Sequence, residues 1–311
     1  MKTENILITG ACGQIGSELT ALLREKYGKE HVVATDLSAH KAGITDGIFE
    51  KLDVLDAQRF EELIQKYEIT QIYHLAAILS AKGEQNPLQT WHINMDSLLQ
   101  MFEISRKNQV RKIFWPSSIA VFSRETPAQN TPQHTFMYPS TVYGISKLSG
   151  EYWCKYYFDR YGLDIRSIRY PGIISYKTLP GGGTTDYAVD IYFKAKKDKR
   201  YECFLNEKTY LPMIYMPDAL RATLELMDAP AEKISIRTSY NLSSMSFSPK
   251  EIAEAIRKHI PDFEIQYAPD FRQAIADSWP DSIDDSQARQ DWNWKPEYDL
   301  DRMTADMIAN V

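Results

Sequence analysis

The stretch that most constrains the fold runs from Asn5 to Gly16. Asn5 to Thr9 is a short apolar run, Asn-Ile-Leu-Ile-Thr, and it ends in Gly10-Ala-Cys-Gly-Gln-Ile-Gly16. A helical pattern follows from Ser17 to Tyr27 and stops at Gly28. A continuously apolar strand is expected in a parallel sheet covered on both faces. Glycines at a strand-to-helix turn let the backbone approach a pyrophosphate, and the helix N-terminus offers N–H groups and the positive end of its dipole. Gly10, Gly13, Gln14, Ile15 and Gly16 are therefore expected to hold a dinucleotide. A second strand is expected at His31 to Thr35. Asp36 closes it, twenty residues after Gly16. A carboxylate there accepts the ribose hydroxyls of NAD and repels a 2′-phosphate. Leu37 and Ser38 follow it with no adjacent cation, so NAD is expected over NADP.

The pattern then repeats. Strands are expected at Phe49–Leu52, Ile69–Leu75, Arg111–Trp115 and Asp164–Arg169. Helices are expected at Asp56–Tyr67, at Thr90–Lys107 and from Tyr143 to Tyr161. Strand and helix alternating from residue 5 to residue 170 predict an α/β fold, a doubly wound parallel sheet of the Rossmann kind. In such sheets the ligand lies beyond the carboxyl ends of the strands, where Gly10, Asp36, Ala76, Ser118 and Tyr170 all fall. Asp53 and Val54 are placed to flank the adenine. The small Ala76 and Ala77 let a cofactor pass close to the backbone, and His74 is expected as a satisfied core histidine. After Pro171 the alternation ends. A loop from Tyr176 to Asp186 contains Pro180-Gly-Gly-Gly-Thr-Thr-Asp186. A helix to Lys197, a strand Tyr210–Tyr215, a helix Met216–Asp228, a strand Ser235–Leu242 and helices Pro249–His259 and Asp284–Asp291 are expected beyond it. The division expected is a dinucleotide-binding domain over 1–171, with returning segments about 213–243, and a smaller substrate-binding region over 172–212 and 244–311.

Thr141 to Lys147 reads Thr-Val-Tyr-Gly-Ile-Ser-Lys and opens one of the expected helices. Residues four apart share a helix face, so Tyr143 and Lys147 stand together. A phenol ordinarily titrates at about 10 and is a poor base. A neighbouring ammonium favours the phenolate, so the expectation is a lowered pKa and a general base for an alcohol proton.

Bulk properties exclude other classes. The net charge of -6 and the lack of a basic patch argue against nucleic acid and anionic membrane as partners. Lys194 to Arg200 reads as a solvated surface. Cys12, Cys154 and Cys203 are odd in number and without Cys-x-x-Cys spacing, which argues for a reducing compartment and no metal site. No charged-then-apolar signal segment opens the sequence and no apolar run approaches about 18 residues. A cytoplasmic protein is expected. Cys12, at a helix N-terminus, is expected to be mildly reactive.

With these residues in hand, the chain resembles the extended short-chain dehydrogenase/reductase family over nearly its full length. Thr9 to Gly16 resembles the family's glycine motif, and His74-Leu-Ala-Ala77 its fourth-strand motif. Ser118 lies twenty-five residues before Tyr143, as the family's catalytic serine does. Asp285 to Arg289 and Trp294-Lys-Pro296 resemble its C-terminal motif. The resemblance implies Ser118, Tyr143 and Lys147 as catalytic residues. It also implies a cofactor site that includes Leu75, Asn94, Tyr143, Lys147, Tyr170 and Ile173. Within the family, Pro180 to Ala188, Ser80 to Glu84 and Ser278-Trp-Pro280 are similar to the L-threonine 3-dehydrogenase branch. That similarity implies oxidation of L-threonine to 2-amino-3-ketobutyrate, with Ser80, Ser118, Tyr143, Thr184, Thr185, Trp279 and the N–H groups of Gly181 to Gly183 around the substrate. The alternative is a nucleotide-sugar epimerase or dehydratase. Those enzymes follow the sixth strand with Arg-Tyr-Phe-Asn, whereas this chain has Arg169-Tyr-Pro-Gly172. The family pairs helices around 94–107 and 143–161, which implies a homodimer.

Overall fold

The computed structural model describes residues 4–39, 43–179 and 183–311, the side chain of Ala81 excepted. The chain forms two compact units. The first takes the chain up to Ser117, then Ser146–Ile168 and Thr223–Ser239; the second takes Ser118–Ile145, Arg169–Ala222 and Tyr240 onward.

The first unit holds strands β1 (Ile6–Thr9), β2 (Val32–Asp36), β3 (Phe49–Lys51), β4 (Gln71–His74), β5 (Lys112–Phe114) and β6 (Asp164–Arg166). Their order is β3-β2-β1-β4-β5-β6 and every pairing is parallel. This is the doubly wound sheet that the alternation predicts. The helices are α1 (Gln14–Tyr27), α2 (Ala57–Lys66), α3 (Ser97–Lys107) and α4 (Val142–Tyr161), whose first residues belong to the second unit. Leu7, Val33, Ile72 and Ile113 from the strands pack with Phe60 and Leu63 of α2, Met101 and Phe102 of α3, and Tyr157 of α4. Each such side chain removed from water contributes roughly 1.5–3 kcal/mol, so this face anchors the sheet. Asp56 starts α2 by accepting from the Arg59 N–H at 3.0 Å.

The second unit is built on β7 (Gly172–Ile174), β8 (Arg200–Cys203), β9 (Leu211–Tyr215), β10 (Met245–Phe247) and β11 (Glu264–Tyr267). Strand β9 pairs parallel to β7 and antiparallel to β10, while β8 pairs parallel to β11. Around them lie α5 (Tyr187–Asp198), α6 (Pro249–Arg257), α7 (Phe271–Ala276), α8 (Ser286–Trp292) and α9 (Leu300–Asn310). Tyr187, Ile191, Met213, Tyr215, Phe247, Ile252, Met303 and Met307 share one core.

Three expected elements differ. The helix expected at Thr90–Lys107 is interrupted by a π-turn at His92–Asp96, where Asn94 turns its amide onto backbone outside the helix. The strand expected at Asp164–Arg169 is broken at Ser167. Arg166 is buried there and donates to the Leu226 and Ala229 carbonyls, both at 2.6 Å. The strand expected at Ser235–Leu242 shrinks to Tyr240–Asn241. Upstream of it side chains replace the ladder: Arg237 pairs with Asp164 at 2.7 Å and lies 3.8 Å over the Phe158 ring.

Candidate active site

In the first unit, Gly10, Asp36 and Leu75 meet at one end of the sheet. Thr9 pairs with Thr35 of β2 and with His74 of β4, so Gly10, Asp36 and Leu75 follow side by side. Gly10 has a φ of +68°, and a Cβ there would lie 2.8 Å from the Ala76 nitrogen. Only glycine passes so close to the neighbouring strand. Asp36 accepts from the Cys12 N–H at 2.9 Å and the Leu37 N–H at 2.8 Å, which fixes its carboxylate beside the turn. Gly13 is the N-cap of α1; no side chain caps the helix and no acid sits in its first turn. Gln14, Ile15 and Gly16 form that turn. An uncapped N-terminus beside a fixed carboxylate fits the pyrophosphate and ribose of NAD.

Around this edge, Asp53 accepts from the Leu55 N–H at 3.0 Å, and the Val54 carbonyl accepts from Gln100 at 3.2 Å. The Leu75 N–H donates to the Thr9 carbonyl, and Ala76 and Ala77 are half-buried. Asn94 accepts from the Ile78 N–H at 2.8 Å and donates to the Ile78 carbonyl at 3.0 Å, so its amide holds the segment after β4. Ser80 opens a short helix, Ser80–Gly83, and is buried. His74 is buried between Thr9 and Ser97, and desolvation, with the Lys147 charge, pushes it down to about 3. It is the neutral core histidine expected. Lys147 is 4% exposed; its ammonium donates to the Pro116 carbonyl at 2.6 Å and lies 4.5 Å over the Trp115 ring. Burial pushes it down to about 7.

In the second unit, Ser118 accepts from the Ala120 N–H at 3.2 Å and hydrogen-bonds Tyr143. Thr141 accepts from the Gly144 N–H at 3.0 Å and so caps the start of α4. Its helix-starting role was visible in principle, as a threonine just before a helical run. Burial pushes the Tyr143 phenol up to about 12, against the opposing Ser118 hydroxyl. This corrects the expectation of a lowered value: in the protein alone, desolvation of the phenolate outweighs the lowering by the Ser118 hydroxyl. Tyr170 is buried, and Ile173 sits half-buried in β7.

Thr184 is 1% exposed, and its hydroxyl has no hydrogen-bond partner among the described residues. Thr185 lies against Gly172, where a Cβ would come within 2.8 Å of the threonine's Cβ and Cγ2. Pro180, Gly181 and Gly182 lie outside the described residues. The Gly183 N–H donates to Asp186 at 2.8 Å, so it is committed within its own turn rather than offered to a substrate. Trp279 packs on the second unit's core. It lines a cavity of about 420 Å³ with Thr126, Tyr210 and Asp281, and Ser118, Tyr143, Thr184 and Thr185 are not among that cavity's lining residues.

No described helix is long and apolar enough to cross a membrane. Among the described residues, no cluster of histidine, cysteine and carboxylate side chains could hold a metal ion. Residues 6–243 match the NAD-dependent epimerase/dehydratase family. An uncharacterised epimerase/dehydratase of Staphylococcus aureus (strain MRSA252) is 48% identical over 99% of this chain and 97% of its own length. The GalE-like L-threonine dehydrogenase from Cupriavidus necator, in its holo form, is 54% identical with a TM-score of 0.97, covering 98% of this chain and 99% of that one. The L-threonine dehydrogenase from Clostridium difficile is 50% identical with a TM-score of 0.97, covering 100% and 98%. The chain belongs to the NAD-dependent epimerase/dehydratase family, and its cofactor is NAD.

Proposed function

We propose that this enzyme oxidises L-threonine at its hydroxyl-bearing carbon, giving 2-amino-3-ketobutyrate. The observation that carries this reading is the packing at Gly172. Nucleotide-sugar enzymes of the family place an asparagine at the corresponding point. Here a Cβ would fall 2.3 Å from the Met213 sulfur and 2.8 Å from Thr185. Thr185 takes that space, and its side chain suits a small polar substrate rather than a sugar nucleotide. The similarity over full length to two threonine dehydrogenases supports the same reading.

When bound, NAD supplies the hydride acceptor and a positive charge. Gly10 to Gly16 would hold the pyrophosphate and Asp36 the adenosine ribose. Lys147 would donate to the nicotinamide ribose and steady negative charge on the phenol. Ser118 holds the substrate hydroxyl and Tyr143 takes its proton. Thr184, Thr185 and Ser80 offer hydroxyls to the zwitterion. Most of the rate gain then comes from positioning and proton removal. The same reading includes a homodimer. Tyr152, Trp153 and Tyr156 are exposed on α4, and Trp153 and Tyr156 meet edge to face at 5.5 Å. Sedimentation of the purified protein checks it, and a monomer at micromolar concentration removes the dimer.

One assay tests the function. NADH formation is measured with L-threonine and with a panel of nucleotide sugars. Turnover with threonine alone is expected; turnover of a nucleotide sugar without threonine oxidation overturns the reading.

A further inference from the structure

The face of α4 that carries Lys147 continues into a second buried ionisable group. Glu151 follows Lys147 by four residues, one helical turn, and is 1% exposed. The Ser117 hydroxyl donates to its Oε1 at 2.6 Å. Between them Gly150 sits flush on Trp115: a Cβ there would lie 2.4 Å from the indole. Three consecutive residues thus serve this face. Trp115 lies under the Lys147 ammonium at 4.5 Å, Pro116 gives it a carbonyl at 2.6 Å, and Ser117 holds the carboxylate one turn on.

We propose that Glu151 is a positioning residue for Lys147, held by Ser117 so that its carboxylate keeps the buried lysine protonated and facing the cofactor. The proposal rests on the role assigned above to Lys147. Titratable groups that act on Lys147 include Cys154 and Glu151 on its own helix, with His74 on β4. His74 is neutral above about 3. Burial raises the Cys154 thiol well above its ordinary value, so it too is neutral near pH 7. Glu151 is the carboxylate of this set. Its worth lies in the charge state of the lysine.

The test compares Glu151→Gln, Ser117→Ala and Lys147→Met with the wild type. Glu151→Gln keeps shape and a hydrogen-bond acceptor while removing the charge. Two readouts are taken: urea stability against pH without cofactor, and NADH affinity by fluorescence. A lysine at about 7 when folded and about 10.4 when unfolded makes stability rise with pH between those values. Lys147→Met is expected to remove that rise. Glu151→Gln is expected to move its onset down by roughly one pH unit and to weaken NADH binding at pH 7.5 several-fold, with recovery at pH 6. Ser117→Ala is expected to give a smaller shift of the same sign. An unmoved onset in Glu151→Gln, with the rise still lost in Lys147→Met, overturns the proposal. A normal rate of threonine oxidation in Lys147→Met overturns the role of Lys147 instead, while the shifted onset would still stand.

Discussion

Tyr143 and Lys147 ride on one helix, one turn apart, yet belong to different compact units and are buried in different ways. Lys147 has a carbonyl, an indole face and an acidic neighbour, and burial still pushes it down to about 7. Tyr143 has the Ser118 hydroxyl, and burial pushes it up to about 12. In both cases desolvation favours the neutral form. The lesson is that the polypeptide by itself does not make the phenol a base. Lys147 is left poised to gain or lose a proton near neutral pH, and Tyr143 is held protonated. On the proposed reading, a positive charge brought in with the cofactor would act where little water screens it.

The largest effect is expected at the tyrosine. Tyr143→Phe keeps the ring and its packing, so the fold and NAD binding should survive, while threonine oxidation should fall by roughly 10²–10⁴-fold. A near-normal rate would remove Tyr143 from the chemistry. The contrast between the two groups can be sharpened by titrating the phenol spectroscopically, as the difference between wild type and Tyr143→Phe. Without cofactor its transition should lie above the ordinary tyrosine value, and with NAD it should move down. An identical transition in both states would mean that the activating charge comes from elsewhere.

On the proposed reading Thr185 serves the substrate and Asp36 the cofactor, and paired substitutions can break that division. Thr185→Ala in the second unit should raise the KM for threonine about tenfold, the loss of one well-placed hydrogen bond, and leave NAD affinity within about twofold. Asp36→Ala in the first unit should do the reverse. It should relax the preference for NAD over NADP several-fold, because the carboxylate that repels a 2′-phosphate is gone, and leave the threonine KM little changed. If Thr185→Ala weakened NAD as much as threonine, the loop before α5 would belong to the cofactor site.

The first unit was far more legible than the second. Its sheet announces itself through apolar runs such as Ile6–Thr9 and Val32–Asp36, and the strand–glycine–helix order leaves one register for the turn. The second unit hid β7, β8, β10, β11, α7 and α9. Arg200–Cys203 and Glu264–Tyr267 alternate exposed with buried or half-buried positions and carry charges, so neither reads as an apolar run. They become strands by pairing with each other across about sixty residues of chain. Site residues were named through motif resemblance, but their partners were not legible. Nothing in the spacing says that Asn94 bonds the Ile78 backbone, or that Gly183 is tied to Asp186. The sign of the Tyr143 shift was missed because it depends on how much water the fold excludes.

The smallest effect separates reactivity from location. Cys12 lies in the glycine turn, where a helix N-terminus favours a thiolate, and the sequence alone suggests a mildly reactive thiol. In the fold it is 2% exposed and its S–H donates to the Ser38 carbonyl at 3.2 Å. A reagent must therefore wait for the turn to open, whatever the dipole does. The other two cysteines are buried as well, and burial raises both thiols, Cys203 to about 11. Labelling of the native protein by a maleimide near pH 7 should be slow at all three, with Cys12 the first to react because its turn borders the ligand edge rather than a core. Saturating NAD should slow Cys12 further and leave Cys203 unchanged, since that residue lies in the core of the second unit. Mass spectrometry of the labelled peptides reads the order directly. Equal protection of Cys12 and Cys203 by NAD would mean that the cofactor stiffens the whole molecule and not the first unit's turn.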